Sequence, residues 1–314
     1  MKNLLRSSPA TGHDKAGSYS ENRLGFVLVL ASAIVWSFGG ALKHFISTGE
    51  SWTIVFWRSV WAALFLFLFM LVREGRAGTF KLFAKMGIPG ICVAVCFAVA
   101  STCFIVALAH TTVANILLMQ AGVPLIAALI IWILFREQVT LPTWVAIAFV
   151  IIGVAVMVSD SFTGKVSPIG DTLSVLIAFS FACATVITRR YAHVRMVPAV
   201  CLGTVMSACV SGVLASTFMV TLSDMGILIV FGSLNLGVGL ALFATGVRLI
   251  PSALAALLGT CETVLGPMWM WLIHDEIPTT RTMVGGLIVL TALLSHISWG
   301  IYRQKSAIVN KTPI

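Results

Sequence analysis

The chain alternates between long apolar runs and short polar breaks. The fifty residues from Met86 to Phe135 contain no Asp, Glu, Lys or Arg. A helix needs about 20 apolar residues to cross a hydrocarbon core about 30 Å thick, so one helix cannot occupy this whole run. The polar stretch 109–115 is its natural break. Applied to the whole chain, the pattern predicts ten spanning helices, at 24–43, 51–72, 84–108, 112–135, 141–159, 169–188, 197–221, 225–247, 252–273 and 281–302.

Lysine and arginine fall mainly in alternate breaks between these spans. With the N-terminus in the cytoplasm, sixteen of them lie in cytoplasmic segments and only three, Lys43, Lys165 and Arg281, lie in outer segments. Basic residues accumulate on the cytoplasmic side of membrane proteins. The bias predicts a multi-pass inner-membrane protein with both termini in the cytoplasm. It also accounts for the net charge of +9 without a nucleic-acid partner.

The composition agrees with this interpretation. Hydrophobic residues make up 59% of the chain and charged residues 10%, whereas soluble domains carry about 25% charged residues. The polar segment 1–23 lacks the apolar core of a signal peptide, so we expect it, like 304–314, to be a cytoplasmic tail. All seven cysteines lie in apolar runs, and their spacing favours neither a disulfide framework nor a metal site.

The charged breaks near the middle and the end of the chain are similar in sequence. At an offset of 139 residues, the break "WILFREQVTLPT" aligns with "WLIHDEIPTTRT". The offset divides the chain into halves at 24–160 and 161–303, each with five predicted spans. Because five is odd, the second half must be inverted relative to the first, as in many secondary transporters. The matched pairs are Trp132 and Trp271, Glu137 and Glu276, Thr140 and Thr279, and Thr143 and Thr282.

These stretches resemble the EamA-type domain of the drug/metabolite transporter superfamily. The similarity is carried by 107–158, by its echo at 244–290, by the tryptophan of "IVWSFGGALKHF" and by the arginine of "VFWRSVWAALF". It implies an all-α integral membrane fold of ten helices in two inverted five-helix repeats around a central cavity that opens alternately to each side. It also implies transport of small metabolites, commonly export of amino acids and related compounds, by a chain that is complete as a monomer or forms a homodimer. Many members have Glu-Pro in span 9, where this chain has Glu262-Thr263 and a proline only at Pro267.

Glu262 is the only acidic residue that we expect inside a span. A charged side chain at the bilayer centre is costly, so such residues usually face a cavity or a partner. Gly259, Glu262, Gly266 and Trp269 follow the spacing of one helical face. Glu262 is therefore a candidate proton-coupling site or counter-charge for an ammonium group, with Trp269 beside it in a solute site. The alternative is a protonated glutamate hydrogen-bonded between helices.

Two further residues are candidates for binding a solute. Arg58 lies near the outer end of span 2, within reach of the surface, and in the resembling family an arginine is frequent here whatever the solute. We favour structural anchoring for it, and binding of a solute carboxylate is the alternative. Trp36 lies in the middle of span 1, away from the interfaces where tryptophan collects. It either stacks on an aromatic or cationic solute or packs in the core.

The remaining candidates are uncharged at neutral pH or titrate near it. Asn115, Gln120 and Asn235 are amides in apolar spans, where hydrogen bonding between helices competes with cavity lining as their role. His296 in span 10 titrates near neutral pH and is a second candidate for proton coupling, against the alternative of simple packing.

Other classes of protein fit the sequence less well. There is no metalloprotease motif, no Walker loop for ATP, and no second acid near Glu262, so neither an enzyme nor a cofactor or metal site is predicted. The loops are too short to house the recognition surface of a receptor or scaffold. The sequence thus favours a secondary transporter that moves a small amphipathic metabolite, such as an amino acid or amine, across the lipid bilayer.

Overall fold

The structure, a computed structural model, describes residues 12–136, 140–159, 167–191, 194–247, 249–250 and 252–309. Three predicted features lie outside these ranges: the boundary at 160/161, Glu137 of the matched pair Glu137 and Glu276, and the outermost residues of both tails. All regular elements in the described ranges are helical. The helices are α1 (Gly12–Ser37), α2 (Gly39–His44), α3 (Ser51–Lys85), α4 (Gly87–Ala107), α5 (Val113–Gln120), α6 (Val123–Phe135), α7 (Leu141–Val158), α8 (Pro168–Arg190), α9 (Val197–Leu214), α10 (Leu222–Ile229), α11 (Gly239–Gly246), α12 (Ser252–His274) and α13 (Thr280–Val309), with a π-helix (Val230–Val238) between α10 and α11.

Most predicted spans correspond to these helices. Within the described residues, eight helical segments are long and apolar enough to cross a bilayer, and a ninth is counted if α5 and α6 form one span bent by 41°. The predicted span 252–273 coincides with α12, which continues through Pro267. The prediction of a multi-pass helical membrane protein is therefore confirmed, while the count of ten stays a prediction. α1 begins at Gly12, inside the segment expected to be a polar tail.

Three predicted spans are interrupted, which the apolar pattern did not predict. α1 gives way to α2 at Phe38, and α5 gives way to α6 at 121–122. The second break follows from Pro124 in the first turn of α6, because proline has no N–H to donate and its ring clashes with the preceding turn. The third interruption is the π-helix inside predicted span 8. Such segments are rare and often occur at functional sites.

The two charged breaks have the same local structure. Arg136 and Asp275, which are related by the offset of 139 residues, are the only described non-glycine residues with positive φ, at 52° and 53°. Each ends the preceding helix in the left-handed conformation. The threonine pairs that follow are also equivalent, since each joins two side-chain oxygens at 3.0 Å: Thr140 with Thr143, and Thr279 with Thr282.

The helix packing repeats when the two halves are exchanged. α3 packs on α9, its equivalent in the second half, and α7 packs on α13 in the same way. The contact of α1 with α12 corresponds to the contacts of α8 with α5 and α6. The contact of α4 with α8 corresponds to that of α11 with α1. At the α7–α13 contact, Gly153 and Gly285 bring the two backbones together, because a side chain at either position would meet the carbonyl of the other.

Candidate functional site

Three of the residues predicted to bind solute, Trp36, Asn235 and Trp269, lie together at the break between α1 and α2. The Asn235 Nδ2 amide donates to the carbonyls of Val35 and Trp36, the second at 3.4 Å. On the other side of α1, Trp269 Nε1 donates to Ser37 Oγ at 3.0 Å. We call Trp36, Ser37, Phe38, Asn235 and Trp269 the central cluster. Its members come from α1, the break between α1 and α2, the π-helix and α12.

Aromatic contacts complete the central cluster. The rings of Phe38 and Trp269 are stacked, with centroids 4.7 Å apart. The indole of Trp36 lies 5.3 Å from the ring of Phe243, and it covers Gly239, where a side chain would collide with it. The indole Nε1 of Trp36 is buried and has no described partner. The cluster therefore offers aromatic faces and at least one free donor in an otherwise apolar interior.

Glycines allow the π-helix to approach its neighbours. Gly232 lies against the backbone of Arg58 in α3, and Gly237 lies against the ring of Phe65, so a methyl group at either position would overlap these atoms. This close approach places Asn235, which is 4% exposed, where its amide reaches the carbonyls of α1. Gly232 and Asn235 therefore both lie where the π-helix contacts its neighbours.

Glu262 lies in the middle of α12, seven residues before Trp269. The side chain is partly buried, and no described residue forms a hydrogen bond or ion pair with its carboxylate. α12 packs on α1 and α5, and Gly266, on the predicted face of Glu262, lies against the side chain of Leu117 in α5. Hydrogen bonding to a neighbouring helix, one of the two predicted roles, is therefore not seen among the described residues.

Asp171 is a second acid inside a span, so the expectation that Glu262 is the only one is wrong. Asp171 is 3% exposed and lies in the first turn of α8. Its Oδ1 accepts a hydrogen bond of 2.6 Å from Asn115 Nδ2, which also donates to Thr111 Oγ1 at 3.0 Å. The signal was present in the sequence: "SPIGD" is a helix start with a capping serine, a first-turn proline and an acid.

The amides of α5 have polar atoms without partners. Asn115, 1% exposed, holds Asp171 with its nitrogen, but its Oδ1 has no described partner. Gln120 Nε2 is also buried without one. Buried side-chain polar atoms are usually hydrogen-bonded, and exceptions call for an explanation. Asn115 therefore joins α5 to α8, the first of its two predicted roles, while retaining one free acceptor.

Arg58 is enclosed between helices and does not extend to the outer surface. It is 5% exposed, and its Nη1 donates to Ser101 Oγ of α4 at 3.0 Å. Its guanidinium carbon lies 4.6 Å from the ring centroid of Phe231 in the π-helix. Arg58 thus contacts the same π-helix as the central cluster, from the side of α3.

His296 lies apart from these residues. Its Nε2 is 2.9 Å from Thr143 Oγ1 of α7, across the contact between α7 and α13. Two apolar grooves, of about 350 and 300 Å³, lie along α3, against α9 and α11 respectively. None of the predicted site residues lines either groove.

Comparisons with known proteins agree with this architecture. The sequence model of the EamA-like transporter family matches the chain twice, at residues 23–159 and 168–302. A search of curated proteins finds no match. One solved structure, a crystal structure of a protein, shares this fold with a TM-score of 0.64 at 14% sequence identity, covering 89% of this chain and 97% of that chain. The two family matches span nearly the whole sequence and confirm the resemblance: the chain belongs to the EamA-like transporter family.

Proposed function

We propose that the chain is a secondary transporter that moves a small amphipathic organic metabolite across the inner membrane by alternating access. The observation that carries this proposal is the equivalence of helix contacts when the halves are exchanged. Two similar packings related by such an exchange have similar free energies. A chain with this property can adopt an arrangement open to one side and, with the roles of the two halves exchanged, an arrangement open to the other.

Inverted five-helix repeats are part of the same proposal. Ten spans with both termini in the cytoplasm give each half an odd number of crossings. The left-handed residues Arg136 and Asp275 support equivalent ends for α6 and α12. In the proposed topology Arg136 lies on the cytoplasmic side and Asp275 on the outer side, so the same turn is used once at each surface.

The proposed solute path runs beside the central cluster and α5. Indole and phenyl rings offer apolar and cation-binding faces, and Asn115, Gln120 and Asn235 offer hydrogen bonds. Such a lining suits a solute with an apolar body and a polar or charged end, such as an amino acid or amine. Because His296 is held between α7 and α13, we assign proton coupling to Glu262 alone.

Glu262 is proposed to change its protonation state during the cycle. An ionised carboxylate in an apolar span is costly, whereas the protonated form or a carboxylate paired with an ammonium group is tolerated. The absence of a fixed hydrogen-bond donor among the described residues leaves Glu262 available to exchange such partners. Either a proton or the solute's own ammonium group then accompanies the conformational change.

Transport by purified protein in liposomes tests the proposal. We expect labelled amino acids or amines to accumulate faster than in protein-free vesicles, and a pH gradient to alter the rate. Glu262→Gln should abolish the response to the gradient, because glutamine cannot take up or release a proton. Glu276→Gln, which changes an acid just beyond the end of the same helix, is the matched control and should keep the response.

Two outcomes would contradict these statements separately. If no member of a broad panel of labelled metabolites moves, the transport proposal is wrong. If solutes move but Glu262→Gln responds to the pH gradient as the wild type does, transport stands and the role of Glu262 is wrong.

A further inference from the structure

Arg58 is a buried cation without a counter-ion. The side chain is 5% exposed, and no described carboxylate lies within ion-pair distance of its guanidinium. The carboxylates nearest to this end of α3 along the chain or across the loops are engaged elsewhere: Asp224 accepts hydrogen bonds from Ser47, and Glu50 accepts one from Thr53. A buried charge is normally paired, because an unpaired one loses its hydration without compensation.

The contacts of Arg58 leave one edge of the buried guanidinium without a hydrogen-bond partner among the described residues. Nη1 is bound to Ser101 Oγ, and the face of the group lies against the ring of Phe231. Nε is buried and has no partner, and no hydrogen bond from Nη2 is found in the described part of the chain. Nε and Nη2 form the edge on which a carboxylate binds arginine through two parallel hydrogen bonds. Ser101 and Phe231 hold that edge in a fixed orientation.

Unpartnered donors also predominate around this position. Six buried side-chain polar atoms lack a hydrogen-bond partner among the described residues, and five of them can donate. Three of the five, Arg58 Nε, Ser59 Oγ and Trp61 Nε1, lie within one turn of α3. Arg58 and Trp61 are three residues apart on α3, and Gly232 of the π-helix lies against the backbone carbonyl of Arg58 and the side chain of Trp61. A surplus of donors calls for a ligand that brings acceptors.

We propose that Arg58 binds a carboxylate group of the transported solute, through the unpartnered edge formed by Nε and Nη2. This inference rests on the proposed transport function and narrows its substrate class to solutes that carry a carboxylate, so that a bare amine is the poorer substrate. Ser101 acts as a positioning residue, because it orients the guanidinium and does not touch the solute. Structural anchoring alone does not account for a buried guanidinium that is held by a single hydrogen bond.

Matched solutes test the inference in liposomes that contain the full chain. Each pair consists of an amino acid and the amine left when its carboxylate is removed, so the apolar body and the ammonium group are the same. We expect the wild type to prefer the carboxylate member by about tenfold or more, since a site built to bind a polar group rejects the analogue that lacks it. Arg58→Gln should remove this preference.

Two additional variants separate binding from folding. Arg58→Lys keeps the charge but lacks the two-nitrogen edge, so we expect a preference between those of the wild type and Arg58→Gln. Ser101→Ala keeps the guanidinium but removes the hydrogen bond that orients it, so it should raise the KM for the carboxylate solute several-fold without affecting the amine. Arg73→Gln, an exposed arginine on the same helix, is the control and should leave the preference unchanged. If Arg58→Gln does not fold, the wild-type preference, Arg58→Lys and Ser101→Ala still decide the matter.

The outcomes distinguish this inference from the function on which it rests. If the wild type moves both members of each pair equally, or if Arg58→Gln lowers both rates by the same factor, transport stands and the carboxylate site is wrong. If the wild type moves no solute at all, the proposed function fails and the assignment of Arg58 fails with it.

Discussion

Asp171 and Glu262 are both acids within apolar helices, and their surroundings differ. Asp171 is 3% exposed, accepts a 2.6 Å hydrogen bond from Asn115 and lies in the first turn of α8. The positive end of the helix dipole favours a negative charge at that position. Glu262 lies in the middle of α12, away from either helix end, and has no described hydrogen-bond partner.

The difference separates an acid that holds helices together from one that is available for exchange. A carboxylate with a fixed donor and a favourable helix end is stabilised in one state, and its removal should damage the fold. A carboxylate that has neither a fixed donor nor a favourable helix end is not held in one protonation state. Its removal should therefore damage function more than stability. Substitutions at the two positions test this distinction directly.

The largest expected effect on stability is that of Asp171→Ala. The substitution leaves the buried Nδ2 of Asn115 with only Thr111 as acceptor, and an unsatisfied buried donor costs about 1 to 3 kcal/mol. We expect a loss of about 2 kcal/mol in the free energy of unfolding, measured by titrating SDS into protein in mild detergent. Glu262→Gln should stay within about 0.5 kcal/mol of the wild type in the same assay, as expected for a side chain without such contacts.

Equal losses for the two variants would show that both acids are structural, and the assignment of coupling to Glu262 would then lose its basis. If Glu262→Gln alone lowered the free energy of unfolding, Glu262 would be the structural acid and Asp171 would not.

A double-mutant cycle gives a smaller but more specific signal. Asn115→Ala and Asp171→Ala each break the same contact, so the double variant should be less destabilised than the sum of the two by about 1 kcal/mol. The same cycle between Asn115 and Glu262 should give a coupling energy near zero. Additive losses for Asn115 and Asp171 would mean that their hydrogen bond contributes nothing to stability.

The smallest expected effect concerns Glu50, an acid in the loop before α3. A hydrogen bond from the Thr53 hydroxyl, with the backbone N–H of Ser216, lowers the pKa of this carboxyl to about 2 from an ordinary value of 4.5. A depressed pKa stabilises the fold above the ordinary pKa, and this stabilisation is lost as the pH falls from about 4.5 towards 2. Glu50→Gln should therefore lower stability slightly at neutral pH, because it removes this stabilisation, and should reduce the decline in acid.

The control for Glu50 is transport near neutral pH. The group stays ionised there, so Glu50→Gln should leave the response to a pH gradient unchanged. A lost response would place a coupling acid in this loop and would contradict its assignment to Glu262.

Individual residues show how much of the site was predictable from sequence. The multi-pass fold followed from the apolar runs, and the family from the resemblance of 107–158 and 244–290 to the EamA-type domain. Asn235 and Trp269 were identified as unusual residues in apolar spans, and both lie in the central cluster. Asp171 was not predicted because it lies in the first turn of α8, where the apolar pattern does not distinguish a buried acid from a solvated one. For Arg58, the sequence favoured structural anchoring within reach of the outer surface, and the structure has the side chain enclosed by Ser101 and Phe231.

The sequence by itself determined the elements whose causes are local. Hydropathy defines spans because the bilayer sets a required length, and the aligned breaks determined where the halves correspond. Only the tertiary structure decided which polar groups are satisfied, because hydrogen-bond partners come from helices distant in the chain. The 56 residues between Asn115 and Asp171, and the 199 between Trp36 and Asn235, are such separations. The π-helix and the uncompensated charge of Arg58 are likewise results of packing, which apolar periodicity does not encode.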